Sequence, residues 1–128
     1  MCQILLSINP EHVKNIFNGT KKYEYRKIEC KKKVDKIIIY CTSPVMRVVG
    51  EARVDEVLVD TPKTIWQETN EKSGIKKDFF DKYFNNRKKA IAFKLIEVIP
   101  YEEPRNLSDY GITYAPQSFV YITEQVAV

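Results

Sequence analysis

Three charged side chains lie within six positions of one another: Lys21, Glu24 and Arg26, just after Gly19. Together they carry an ammonium, a carboxylate and a guanidinium. The guanidinium can hold a phosphate or a base carbonyl through paired N–H donors, and the ammonium adds a compact charge. The carboxylate can accept from an exocyclic base amine, or activate water if a neighbour positions it. For proton-transfer chemistry the charges conflict: Arg26 would lower the pKa of Lys21 while Glu24 would raise it. Nearby tyrosines Tyr23 and Tyr25, and the tryptophan Trp66, are candidates for stacking on a base. The bland alternative is a surface Glu24–Arg26 pair worth less than ~1 kcal/mol, with the tyrosines in the core.

The flanking elements decide whether these groups meet. Ile4-Leu5-Leu6-Ser7-Ile8 reads as a short buried strand. Asn9-Pro10 then caps and opens a helix over about 10–18, with Val13, Ile16 and Phe17 on its apolar face. Gly19 sits where a helix ends in positive φ. From Lys22 the period changes to two, so Tyr23 and Tyr25 share one face and Glu24 and Arg26 the other, about 7 Å apart along the strand. Strict alternation groups Lys21 with the tyrosines; it joins Glu24 only if the turn before the strand redirects it.

Further along, Lys31-Lys32-Lys33 marks a turn, and Lys36–Cys41 is apolar on both faces, as a central strand is. Residues 46–58 alternate, with Met46, Val48, Gly50, Ala52, Val54 and Leu58 inward and Gly50 at a bend. Thr61-Pro62 starts one helix, and Ile75, Phe79, Phe80, Tyr83 and Phe84 give a second over about 76–84. Residues 89–99 alternate with Ile91, Phe93, Leu95 and Ile99 inward, and Pro100 is expected to stop that strand. Residues 100–115 read as turns, and Phe119, Tyr121 and Ile122 as a last short element. The order predicts an α+β fold, a mostly antiparallel β-barrel with flanking short helices, as one domain over 1–128.

Composition narrows the function classes. The 128 residues are 44% hydrophobic and 30% charged, with eight Tyr, six Phe and one Trp, which excludes a disordered chain. No apolar run is long enough for a membrane span, and Met1-Cys2-Gln3 lacks the features of a signal peptide, so a cytoplasmic protein is expected. Cys2, Cys30 and Cys41 have no zinc-like spacing and His12 is the sole histidine, so neither a metal nor another cofactor is expected. Cys41 with His12 as a nucleophile pair is outweighed by a reduced structural cysteine, and His12 reads as a surface residue. Residues 21–36 hold eight Lys/Arg against three acids, leaving 13 against 14 elsewhere. All the excess positive charge of this +4 chain is therefore in one segment, which suits a polyanion such as nucleic acid. Lys31, Lys32 and Lys33 form its basic patch, either meeting a phosphate backbone or keeping a hairpin soluble.

Gly19, Lys21, Glu24 and Arg26 fit a Gly-x-Lys-x-x-Glu-x-Arg pattern following a short helix. With Leu6-Ser7-Ile8-Asn9-Pro10, Ser43-Pro44, Val49-Gly50-Glu51 and Ala115-Pro116-Gln117-Ser118-Phe119, the chain resembles the ASCH domain family along nearly its whole length. The resemblance implies a PUA-like barrel with a cleft beside the first helix that binds RNA or a modified nucleoside. Its binding residues would be Gly19, Lys21, Glu24 and Arg26, with Ser7, Ser43, Gln117 and Ser118 as further polar groups. Some small members are similar to amidohydrolases that deacylate N4-acetylcytidine, using a lysine at the Lys21 position, a threonine where this chain has Glu24, and a downstream acid. Glu68 and Glu71 are the downstream candidates here; in that alternative Lys21 and Glu24 would be the catalytic pair.

Overall fold

The computed structural model describes residues 2–122; Met1 and residues 123–128 of the expected 1–128 domain lie outside the described residues. Six strands form one sheet in the order β2-β5-β4-β3-β1-β6. They are β1 (Gln3–Ile8), β2 (Tyr23–Arg26), β3 (Lys36–Cys41), β4 (Arg47–Asp60), β5 (Ala90–Arg105) and β6 (Phe119–Ile122). Among the described residues only the β1–β3 pair is parallel. Three short helices flank the sheet: α1 (Pro10–Phe17), α2 (Pro62–Thr69) and α3 (Lys77–Tyr83). The sheet curls into a half-barrel, so strands far apart in its order touch. Arg26 Nη2 on β2 donates to the Ser7 carbonyl on β1 at 2.8 Å, and the Lys31 amide donates to the Tyr121 hydroxyl on β6 at 3.0 Å.

The capping signals act as expected. The Asn9 side chain accepts from the His12 amide and the Thr61 hydroxyl from that of Thr64, each opening its helix ahead of a proline. Gly19 closes α1 at φ 86°. Alternation along β1 sends Ile4, Leu6 and Ile8 into a core with Val13, Ile16, Ile37 and Ile39, while Leu5 joins Ile38, Tyr40 and Val48 on the opposite face. A third cluster packs Tyr25 and Ile65 with Phe80 and Phe84 of the α3 region. Gly50 lies opposite Ile39 and Pro100 where the ladder is irregular on both sides. A Cβ there would come within 2.7 Å of the Ile99 carbonyl and the Phe17 ring, so the bend at that position requires glycine.

Three details differ from the sequence reading. β5 does not stop at Pro100 but runs to Arg105. Its pairing with β2 ends at Lys94, so beyond that point it has β4 alone beside it and a residue without N–H is tolerated. Ile99 faces outward, 52% exposed, because Glu97 at φ 48° is an extra residue: Glu51 pairs with Ile99 but Arg53 with Ile96. That insertion reverses the parity of the residues next after it, Ile99 among them. Met46, expected inward, stands at φ 52° in the turn before β4 and is exposed.

Candidate functional site

Glu24 and Arg26 share a face of β2, as their spacing predicts, and both are buried. Arg26 donates to Glu24 Oε2 from Nε at 3.1 Å and from Nη2 at 2.7 Å. Lys21 precedes β2, so strand parity does not govern it. Its amide donates to the Asn15 carbonyl, and the next residue is held on both sides: the Lys22 amide donates to the Lys72 carbonyl and the Lys22 carbonyl accepts from the Leu95 amide. These bonds turn Lys21 inward. Its Nζ lies 3.7 Å from Glu24 Oε1, donates to the Ser73 carbonyl at 3.2 Å, and sits 4.8 Å over the Tyr25 ring. Gly74 packs directly on the Lys21 side chain at φ 67°; a Cβ at Gly74 would overlap Lys21 Cβ. The three charged groups thus form a Lys21–Glu24–Arg26 triad, with the carboxylate in the middle.

Burial and charge compete within the triad. Burial pushes the Glu24 carboxyl up, but Arg26 and Lys21 outweigh it and the net shift is downward, so Glu24 is ionised at neutral pH. Burial lowers the Lys21 pKa against the pull of Glu24, and the Arg26 charge adds to the lowering. Tyr25 bonds Thr69 Oγ1 at 2.7 Å, and burial lifts its hydroxyl to about 12, keeping it neutral.

The triad lines a cavity of about 410 Å³. Ser7, Ile8, Asn9 and Thr42 contribute from the β1 side, and Ala115, Pro116 and Gln117 from the segment before β6. Ser7 ties these parts together: its carbonyl accepts from Arg26, its hydroxyl donates to the Pro116 carbonyl at 2.7 Å, and its amide donates to the Ser118 carbonyl. Ile75, Phe79 and Tyr83 line the cavity as well, with the two rings of α3 nearly parallel at 8°. His12 completes this wall and meets the Phe79 ring edge-on. It is half-buried rather than a free surface residue; its Nδ1 is buried without a partner, and burial lowers its pKa.

Among the residues expected at a site, Ser7, Lys21, Glu24, Arg26 and Gln117 therefore surround one cavity. Gly19 shapes the turn that leads to it. Ser43 is exposed and its neighbour Thr42 lines the wall instead; Ser118 contributes through its carbonyl to Ser7. Lys31, Lys32 and Lys33 are exposed on the β2–β3 loop, outside the cavity. Tyr23 and Trp66 do not line it; Trp66 packs on Phe80 at 4.8 Å. Glu68 and Glu71 are exposed and also lie outside it, so Glu24 is its one carboxylate among the described residues. Phe79 and Tyr83 were legible only as the apolar side of a helix. Their spacing from Phe80 and Phe84, one residue off around α3, is the signal that they face elsewhere.

Among the described residues no group of His, Cys, Asp and Glu is arranged to hold a metal ion. No helix among them is long and apolar enough to cross a membrane.

Residues 6–105 match the ASCH domain. The chain belongs to the ASCH family. An ASCH domain-containing ribonuclease of Zymomonas mobilis is 28% identical over 96% of this chain and 86% of its own length. A crystal structure of ASCH from Zymomonas mobilis superposes with a TM-score of 0.86 at 27% identity, covering 95% of this chain and 88% of that one. The ATP synthase subunit alpha of Ureaplasma parvum is 31% identical over 93% of this chain, and the chain spans 15% of that relative's length. The likeness to that long relative is thus to one segment, whereas the ASCH ribonuclease matches almost end to end.

Proposed function

We propose that this ASCH domain binds single-stranded RNA by taking one nucleotide into the cavity, its phosphate towards Lys21 and Arg26 and its base against Phe79 and Tyr83. The observation that carries this reading is the pairing of a buried cationic end with an aromatic wall in one hollow. Two cations and one carboxylate leave a single net positive charge there, matched to a phosphodiester. The volume of about 410 Å³ falls within the range of small-ligand sites. The near end-to-end likeness to a protein named a ribonuclease supports RNA as the polymer. The lysines at 31–33 would add contacts to the backbone outside the cavity.

Lys21→Met tests the reading, because it removes one cation and leaves the 2.7 Å Glu24–Arg26 pair in place. Affinity for a short single-stranded RNA, followed by fluorescence anisotropy, is expected to fall roughly tenfold or more, the worth of a charge-assisted contact. Unchanged affinity in a folded variant overturns it.

One observation favours a second reading, hydrolysis in the same cavity: the depressed pKa of Lys21 suits a group that transfers protons. Deacylation of an N4-acetylcytidine-like nucleoside would then rest on Lys21 and Glu24, with Glu24 already engaged by both cations. Incubation with N4-acetylcytidine separates the two. Cytidine release that disappears in Lys21→Met supports hydrolysis; its absence alongside salt-sensitive RNA binding supports the binder.

A further inference from the structure

A second hollow, of about 560 Å³, adjoins the first. The two share His12, Ile75 and Phe79, so the wall between them is also a wall of each. That wall is thin. Lys21 faces the first hollow while Gly74, packed directly on its side chain, faces the second. Ser73 links the two: its carbonyl accepts from Lys21 Nζ, which lines the first hollow, and its residue lines the second. Phe79 stands at the shared edge and is 47% exposed, much for an aromatic ring placed between two concavities.

The hollows differ in charge. The first carries Lys21 and Arg26 against Glu24; the second carries Glu11 and Glu71 against Lys76. A phosphate is favoured in the first and disfavoured in the second. Carboxylates suit the exocyclic amines of adenine, cytosine or guanine, and uracil has none to offer.

We infer that the second hollow receives the base of the neighbouring nucleotide, so that the domain reads two consecutive units of single-stranded RNA with Phe79 and His12 between them. This rests on the RNA reading of the first cavity and narrows it: the ligand is an oligonucleotide rather than a free nucleoside, with an amine-bearing base in the second position.

The test compares the 5′-phosphorylated mononucleotides of adenosine and uridine with the corresponding adenosine and uridine dinucleotides. All are 2′-O-methylated so that cleavage does not consume the probe, and each is titrated against the full chain. Stacking and pairing of a second base should tighten the adenosine dinucleotide roughly 5- to 150-fold over the mononucleotide. The uridine dinucleotide should gain less, and Glu71→Gln, an exposed change, should shrink the adenosine gain. If the mononucleotide binds and the dinucleotide binds no tighter, the second seat is refuted while the first stands. If uridine gains as much as adenosine, or Glu71→Gln leaves the gain whole, the base-reading assignment is refuted. If none of the four binds, the RNA reading itself falls, and the second seat with it.

Discussion

Removing the Glu24 carboxylate should unfold more of this protein than its size suggests. Glu24 is 5% exposed and is the shared partner of two cations that are themselves buried, Lys21 at 2% and Arg26 at 8%. Glu24→Ala strands both. Breaking a buried pair by removing one partner costs about 3–5 kcal/mol, because the charge left behind has lost its water and its counter-ion. Arg26 keeps the Ser7 carbonyl and Lys21 the Ser73 carbonyl, so the loss belongs near that range and not above it. Unfolding entropy near the midpoint scales with chain length, to about 0.27 kcal/mol/K for a chain of this size, so Tm should drop by roughly 11–19 °C. The control is Lys77→Ala: that residue pairs with Asp81 in an exposed i,i+4 bridge worth under ~1 kcal/mol, or about 4 °C at most. Thermal melts by circular dichroism measure both. A Glu24→Ala protein melting within about 4 °C of the parent would mean that water reaches Lys21 and Arg26 freely, and the argument for a buried cationic end would fail.

Four further outcomes follow from the same geometry. The Glu24 carboxyl is held below its unfolded value of about 4.3, so its contribution to stability is present above that pH and is lost as pH falls through the folded value. Urea melts from pH 7 to pH 3 should therefore show a shallower acid loss for Glu24→Gln than for the parent. Phe79→Ala should weaken RNA binding roughly 5- to 150-fold while lowering Tm only modestly, since the ring is about half exposed; a fold lost with the ring would contradict this. Alanine at Lys31, Lys32 and Lys33 together should reduce the slope of log affinity against log salt by up to about 2, at ~0.7 per single-strand phosphate contact. An unchanged slope would leave those lysines as solubilising charge. Gly74→Ala combines a positive φ with overlap onto Lys21, so it should lower both Tm and RNA affinity, whereas a mere loop glycine would lower neither by much.

Much of this architecture is local and therefore readable. Asn9-Pro10 and Thr61-Pro62 open helices because a cap and a fixed φ need only adjacent residues, and Glu24 and Arg26 share a face because a strand has period two. What escapes is set by distant chain. Lys21 turns towards Glu24 because Lys72, Gly74 and Leu95 constrain the backbone around it, and nothing within Gly19–Arg26 announces them. Ile99 faces water because one residue, Glu97, adds itself to β5 and shifts the parity, an event invisible in an alternating pattern. Pro100 fails to end its strand because it sits where β2 no longer reaches, a fact of strand length in another part of the fold. The aromatic wall escapes for a subtler reason. Helical spacing says that Phe79, Phe80, Tyr83 and Phe84 form an apolar surface, but that surface is wide enough to be divided. Phe80 and Phe84 fill the core with Tyr25, leaving Phe79 for the cavity, while Tyr83 packs on that core and lines the cavity as well.

The proposed RNA-binding reading gives the triad a reason to exist that support alone does not. Desolvating three charges is expensive, and apolar side chains of similar volume would fill the same space at equal or lower cost. What apolar side chains would not supply is a pair of cations held at fixed positions before any ligand arrives. Glu24 does that holding, since its two oxygens face Arg26 and Lys21 respectively, and its lowered pKa keeps it charged across the neutral range. On the proposed RNA-binding reading, a phosphate entering the cavity would meet donors whose orientation was settled during folding, with much of the ordering entropy of binding already spent. On that reading the carboxylate at the centre of the triad is no contradiction: it leaves one net positive charge, enough for one phosphodiester, and positions the groups that carry it.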